Sequence, residues 1–353
     1  MLRNICTPRE QPRRNCQRLI YLQYMTFIRS IAAPLLMLFF AAFCTAQDDP
    51  PVTVDSSIVR MNVGVVDQRG HPITSLDRGS FSIFEDGVKQ QIISFKPSSA
   101  PFSVVMVLDM SGSTLPFRQT IRMSAARFLD ALSPDDRVAV IEFYDKVNLR
   151  NDFTTDRNTI LHSIEVANGR GKTQLYKALD LALDRLSSEV NRRKAIIVLT
   201  DGVDTAAQDK DRETLVPVKD DLIRTTIKPQ DYDLMNKVLS KSDRQGVTIY
   251  PLALPTGDPA RLADPTPRQI AMFQAARDRL QIVADRTGGI VSKINRLEDM
   301  GTLYAQVAAD LRTLYTIEYQ PINEKKDGKW RAITIETANP DLISRTRQGY
   351  FAK

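Results

Sequence analysis

The 353-residue chain is 42% hydrophobic and 25% charged, which supplies a sizeable core and excludes a wholly disordered chain. Its formal net charge of +6 belongs to one end: residues 1–46 hold six Arg and one acidic residue, leaving 42 basic against 41 acidic residues beyond them. A nucleic-acid binder would need a basic body or stripe, and a body this close to neutral argues against that class.

The elements begin with a leader. Arg29 precedes a 13-residue apolar stretch, Ile31 to Phe43, which ends in Cys44-Thr45-Ala46-Gln47. This is the order of a secretory signal peptide, read over residues 1–46, and the stretch is shorter than the ~20 residues of a membrane-spanning helix. An uncleaved membrane anchor is one alternative. A lipid anchor at Cys44 is another, although Phe43 departs from its pattern. Met25 opens a signal of ordinary length, so residues 1–24 also read as a mis-called start. All three cysteines, Cys6, Cys16 and Cys44, fall in the leader. A mature chain from Gln47 then has no disulfide, thiol chemistry or Cys-based zinc site. An exported bacterial protein, periplasmic or extracellular, is expected.

Residues 47–100 read as an N-terminal β segment. Val59, Met61, Val63 and Val65 alternate with other residues at the period of a half-buried strand. Phe81 to Phe84, a turn at Glu85-Asp86-Gly87, and a return over Val88 to Phe95 follow. Beyond a linker at Ser98 to Pro101, strands and helices alternate through residues 101–312. Ser103 to Leu108 is an apolar run suited to a buried parallel strand. A helix over Pro116 to Leu132 comes next, then strand Val138 to Phe143, a helix near Arg157 to Val166 and a helix over Leu175 to Leu186. Strand Ala195 to Leu199, a charged loop-lengthening stretch Asp204 to Asp233 and strand Val247 to Leu252 follow. Helix Pro267 to Asp285, strand Ile290 to Ser292 and helix Leu297 to Leu314 complete the domain. Such alternation predicts a doubly wound, mostly parallel α/β sheet of the Rossmann-like kind. Residues 313–353 are a C-terminal β segment, expected to join the N-terminal one as an added antiparallel region, because neither is large enough alone.

Three segments carry chemistry. Asp109-Met110-Ser111-Gly112-Ser113 and Asp201-Gly202-Val203-Asp204 each follow a buried strand, at the end where open α/β sheets bind ligands. Thr173 stands just before a helix on a neighbouring loop. Two carboxylates, Asp109 and Asp201, with the hydroxyls of Ser111, Ser113 and Thr173, form an oxygen-only set. That suits Mg²⁺ or Mn²⁺, with Ca²⁺ also admitted. With so few carboxylates the ion would stay electrophilic enough to accept an acidic side chain from another molecule.

Asp-x-Ser-x-Ser, a later Thr and a later Asp-Gly resemble the metal-ion-dependent adhesion site of von Willebrand factor A (VWFA) domains over residues 101–312. The resemblance implies that Ser111, Ser113 and Thr173 touch the metal and that Asp109 and Asp201 act mainly through water. It also implies binding of a protein partner that presents Asp or Glu, and no enzymatic activity. Val63 to Asp67, Phe81 to Gly87, Leu314-Tyr315 and Arg347-Gln348-Gly349-Tyr350 resemble the acidobacterial VWFA-related proteins. The long Asp204 to Asp233 stretch departs from compact A domains and reads as a solvated, mobile insertion or a partner-binding lobe.

Other readings of the same residues are weaker. Gly171-Lys172-Thr173 fits a phosphate loop only if Gly stood where Val166 is. Ser111 and Ser113 lack a Gly-x-Ser-x-Gly elbow. The two histidines, His71 and His162, have no sequence argument as a base. A metal-dependent hydrolase and a structural module with a loop-stabilising metal remain the alternatives. Tyr315, Tyr319, Trp330 and Tyr350 are expected to be buried in strand packing.

Overall fold

The computed structural model describes residues 58–352, apart from 191, 262, 295, 297 and 298. The leader over residues 1–46 lies outside them. Four strands come first: β1 (Val59–Val66), β2 (Phe81–Glu85), β3 (Val88–Gln90) and β4 (Ile92–Lys96). The single return strand expected over Val88 to Phe95 is thus two strands in different sheets. Gln90 is the reason: it is buried, and its side-chain oxygen accepts from the Ile322 N–H, anchoring the chain where it crosses over.

β5 (Phe102–Asp109) is buried along its whole length. A 3₁₀ turn over Gly112–Phe117 leads into α1 (Arg118–Ala131), so Pro116 lies in that turn rather than in the helix. β6 (Arg137–Phe143) and β7 (Val147–Thr154) form a hairpin, followed by α2 (Arg157–Val166) and α3 (Leu175–Ser187). Then come β8 (Arg193–Thr200), α4 (Thr205–Leu215), α5 (Ile223–Thr226), α6 (Asp233–Gln245), β9 (Thr248–Ala253), α7 (Pro267–Thr287), β10 (Ser292–Lys293) and α8 (Met300–Thr313).

The central sheet has the order β10-β9-β8-β5-β6-β7, parallel except for edge strand β7. Successive residues of β5 serve opposite faces, as pleating requires. Val104, Met106 and Leu108 pack with Ile121 and Phe128 of α1, Ile164 of α2 and Tyr304 of α8. Val105 and Val107 pack with Leu179 of α3, Leu239 of α6 and Leu280 of α7. Helices therefore cover both faces, and the chain is a doubly wound α/β protein.

The remaining strands are β11 (Tyr315–Tyr319), β12 (Trp330–Thr337), β13 (Ile343–Arg345) and β14 (Gly349–Phe351). They interleave with the N-terminal strands in two antiparallel sheets, β13-β1-β11-β4 and β14-β12-β2-β3. Met61, Ile83, Tyr315, Ile317, Tyr319 and Ile335 share one core there. Tyr315 and Tyr319 are buried, but Tyr350 is only half-buried and Trp330 is 40% exposed, edge-on to Phe351 with Arg286 over its ring. Asn62 links this region to the central sheet: its amide donates to Thr248 Oγ1 at 2.9 Å and accepts from Thr316 Oγ1 at 2.7 Å. Arg347, in the Arg-Gln-Gly-Tyr stretch, donates to the Asp243 carbonyl of α6. Gly349 is required because a Cβ there would overlap the Arg331 carbonyl on β12.

The Asp204 to Asp233 stretch is helical over much of its length, a difference from a mobile loop. α4 repeats buried positions at Ala207, Asp211 and Leu215, and Leu215, Ile223 of α5 and Met272 of α7 form a small apolar cluster. Among the described residues, no helix is long and apolar enough to cross a membrane.

Candidate functional site

The first loop leaves β5 at its carboxyl end. Asp109 is fully buried, and both of its carboxylate oxygens accept protein hydrogen bonds: Oδ1 from the Ser111 N–H at 3.0 Å and Oδ2 from Thr200 Oγ1 at 2.8 Å. The Thr114 hydroxyl donates to the Asp109 carbonyl at 2.9 Å, closing the turn. Ser111 is buried, whereas Ser113 is exposed; their hydroxyls are 3.2 Å apart.

The third loop leaves β8 beside it. Asp201 is buried; its Oδ1 accepts from the Val203 N–H at 3.0 Å, and its carboxylate is met by the Ser113 and Thr256 hydroxyls. Gly202 has a φ of 86°. Gly257 packs against the same turn, and a Cβ there would overlap the Asp201 carbonyl. Asp204 caps α4 by accepting from the Ala207 N–H.

Thr173 reaches the other two loops through backbone. The Gly112 N–H donates to the Gly171 carbonyl at 3.3 Å, tying the Thr173 loop to the first. The Thr205 N–H donates to the Thr173 carbonyl at 3.0 Å, and the Thr173 N–H donates to Thr205 Oγ1 at 2.9 Å, tying it to the third. Glu142 on β6 accepts from the Asn168 N–H, and Arg118 on α1 donates to the Gly169 and Met110 carbonyls. The structure thus brings Asp109, Ser111, Ser113, Thr173 and Asp201 onto three interlocked loops at the carboxyl ends of β5 and β8. Reading the sequence missed Thr200, Thr205, Thr256, Gly257 and Arg118. Of these, only Thr200 and Thr205 lie beside a motif residue, a weak signal by itself.

Electrostatics decides what this arrangement can hold. Burial pushes the Asp109 carboxyl above the usual carboxylate range, and the nearby Asp201 charge pushes it further. Burial likewise raises Asp201. Two desolvated carboxylates repelling one another are costly unless a cation or protons compensate. Among the described residues no three His, Cys, Asp or Glu side chains gather around a metal position, so hydroxyls must complete any ligand set. Two carboxylates and three hydroxyls are all oxygen donors, which fits a hard divalent cation. His71 pairs with Asp67 in a turn of the β region, and His162 is exposed on α2.

Residues 104–203, which run from β5 through the Asp201 loop, match the family model for the von Willebrand factor type A domain. The chain contains a von Willebrand factor A domain. Solved structures similar to it include the vWF domain of the type V pili tip protein Mfa5 from Porphyromonas gingivalis. That pair shares 15% identity over 60% of this chain and 95% of the other, with a TM-score of 0.43. A von Willebrand factor type A protein from Catenulispora acidiphila shares 12% identity over 79% of this chain and 65% of the other, with a TM-score of 0.44. Proximal thread matrix protein 1 from the mussel byssus, solved with a zinc-occupied MIDAS motif, shares 14% identity over 63% of this chain and 48% of the other, with a TM-score of 0.40. No curated protein matches the sequence.

Proposed function

We propose that the A domain is a divalent-metal-dependent protein-binding module of an exported bacterial protein. One observation carries the reading: two buried carboxylates, Asp109 and Asp201, stand with three hydroxyls on loops that open to solvent at Ser113. Ser111, Ser113 and Thr173 would hold Mg²⁺ or Mn²⁺, with Ca²⁺ also admitted, while Asp109 and Asp201 supply charge. When bound, the ion supplies a Lewis-acidic position for an Asp or Glu side chain of the partner. Thr200 and the Ser111 N–H orient Asp109, and the Val203 N–H orients Asp201, so the protein holds the charge without spending it on direct coordination.

Binding rather than catalysis is favoured because neither histidine of the chain stands at these loops to act as a base. Export rests on the leader pattern of residues 1–46, and it predicts a mature chain that begins at Gln47.

The test is calorimetric titration of Mg²⁺, Mn²⁺ and Ca²⁺ into the whole protein, followed by a Glu-containing peptide with and without EDTA. Metal binding that Asp109→Ala abolishes, with peptide binding only when metal is present, is expected. No heat with any of the three ions would overturn the reading.

A further inference from the structure

A cavity of about 180 Å³ adjoins the metal locus, with Thr173 in its wall. It lies between the first turns of α3 and α4, and α6 contributes Leu234. Lys172 and Lys177 line one side, and both are exposed. Thr205, Asp204 and Asp209 line the other.

The acids of that wall are already engaged. Asp204 is buried and accepts from the Ala207 and Tyr176 N–H groups and from the Tyr232 hydroxyl. Asp209 pairs with Arg212 at 2.7 Å. Asp145, the carboxylate nearest the backbone of Lys172, is occupied by the Lys172 N–H. Among the described residues, no carboxylate is paired with the ammonium of Lys172 or Lys177. The polar groups left free to turn toward a ligand in this cavity are therefore the two ammonium groups, on the loop that carries Thr173 and the helix that follows it.

We propose that this cavity takes a second carboxylate of the same partner, so that the domain recognises a segment carrying two acidic residues rather than one. The inference rests on the metal-dependent reading above. The first acid would go to the metal locus past Ser113. The second would pair with Lys172 and Lys177 while its methylene groups pack on Leu234. A pair of flexible ammonium groups favours carboxylates in general over one fixed bidentate geometry.

The test uses the whole protein in Mg²⁺ and fluorescent Gly/Ser peptides carrying either one Glu or two Glu separated by one to four residues. In the wild type, at least one two-Glu peptide is expected to bind about tenfold tighter than the one-Glu peptide, as a charge-assisted contact provides. In the Lys172→Gln/Lys177→Gln double variant, the ratio between the two peptides is expected to fall to about two, the statistical factor left when either Glu can reach the one remaining site. Because the ratio is taken within each protein, any shift in metal affinity cancels. A one-Glu peptide that binds as tightly as every two-Glu peptide would overturn the second site and leave the metal reading standing. A preference of about tenfold that survives in the double variant would do the same. Failure of all peptides to bind, with Mg²⁺ titrating normally, would overturn both.

Discussion

Thr200, the last residue of β8, donates its hydroxyl to Oδ2 of Asp109, the last residue of β5, at 2.8 Å. Two strand ends are thereby joined under the candidate metal position, and the same hydroxyl accepts from the Gly202 N–H at 3.1 Å. Thr200→Val keeps the shape and β-branching but leaves one oxygen of a buried carboxylate without its donor. Mg²⁺ affinity is expected to fall about 10–100-fold, the usual cost of losing a partner that orients a ligand. Thr200→Ser is expected to recover most of it. Calorimetric titration of the three proteins checks this, and an unchanged affinity in the Val variant would remove Thr200 from the site.

The mutual repulsion of Asp109 and Asp201 has its own consequence. Asp109→Asn removes one charge from a place where burial disfavours it, so without metal the variant is expected to unfold at a higher temperature than the wild type. Metal should reverse the order. At about 100 times its dissociation constant, an ion stabilises the wild type by about 2.7 kcal/mol, and the variant should gain almost none of that. Thermal unfolding in EDTA and in Mg²⁺ reads both signs, and a variant less stable than the wild type in EDTA would contradict the argument.

The central sheet is legible in the sequence because β5 and β8 are apolar runs too buried to alternate, and each ends in an acidic, glycine-containing turn. The three loops of the candidate site are legible for the same reason. Their clamps are not, since Arg118 and Thr205 act on backbone groups, and Thr256 on the Asp201 carboxylate, across tens of residues of chain that no pattern links. α4 and α6 are hidden by charge. Met235, Val238 and Leu239 do lie on one helical face, and Gly246 ends α6 with a φ of 62°, but the intervening polar residues dilute the signal. β7 escapes notice because an edge strand buries little: Leu149 is exposed and only Phe153 is fully covered.

Asp211 of α4 and Arg279 of α7 meet through two hydrogen bonds, 2.6 and 2.8 Å, with both side chains almost wholly buried. Removing either partner strands the other charge. Asp211→Ala is expected to cost about 3–5 kcal/mol, whereas replacing both by apolar residues of similar size should cost far less. Urea unfolding of the single and double variants checks this. Equal losses in the two would show that packing, and not the uncompensated charge, dominates at this helix contact.

Lys194 of β8 is buried, and desolvation, aided by the charge of Arg60, pulls its ammonium down to about 8. The unfolded chain holds that proton up to about pH 10.4. Between those values the unfolded state binds more protons, so stability rises with pH across the window. The buried tyrosines act in the opposite sense. Burial raises Tyr176, Tyr250 and Tyr304, so they stay protonated in the fold while the unfolded chain ionises near pH 10. The melting temperature is therefore expected to climb from about pH 8, peak between 9 and 10, and fall beyond it. Lys194→Met keeps the length of the stem and removes the charge. It should be more stable than the wild type at pH 7, by up to about 3 kcal/mol for a shift of this size, and should lose the climb while keeping the fall. Unfolding of both proteins across pH 6.5–10.5 separates the lysine from the tyrosines, because a climb that persists in the Met variant would have to come from another group.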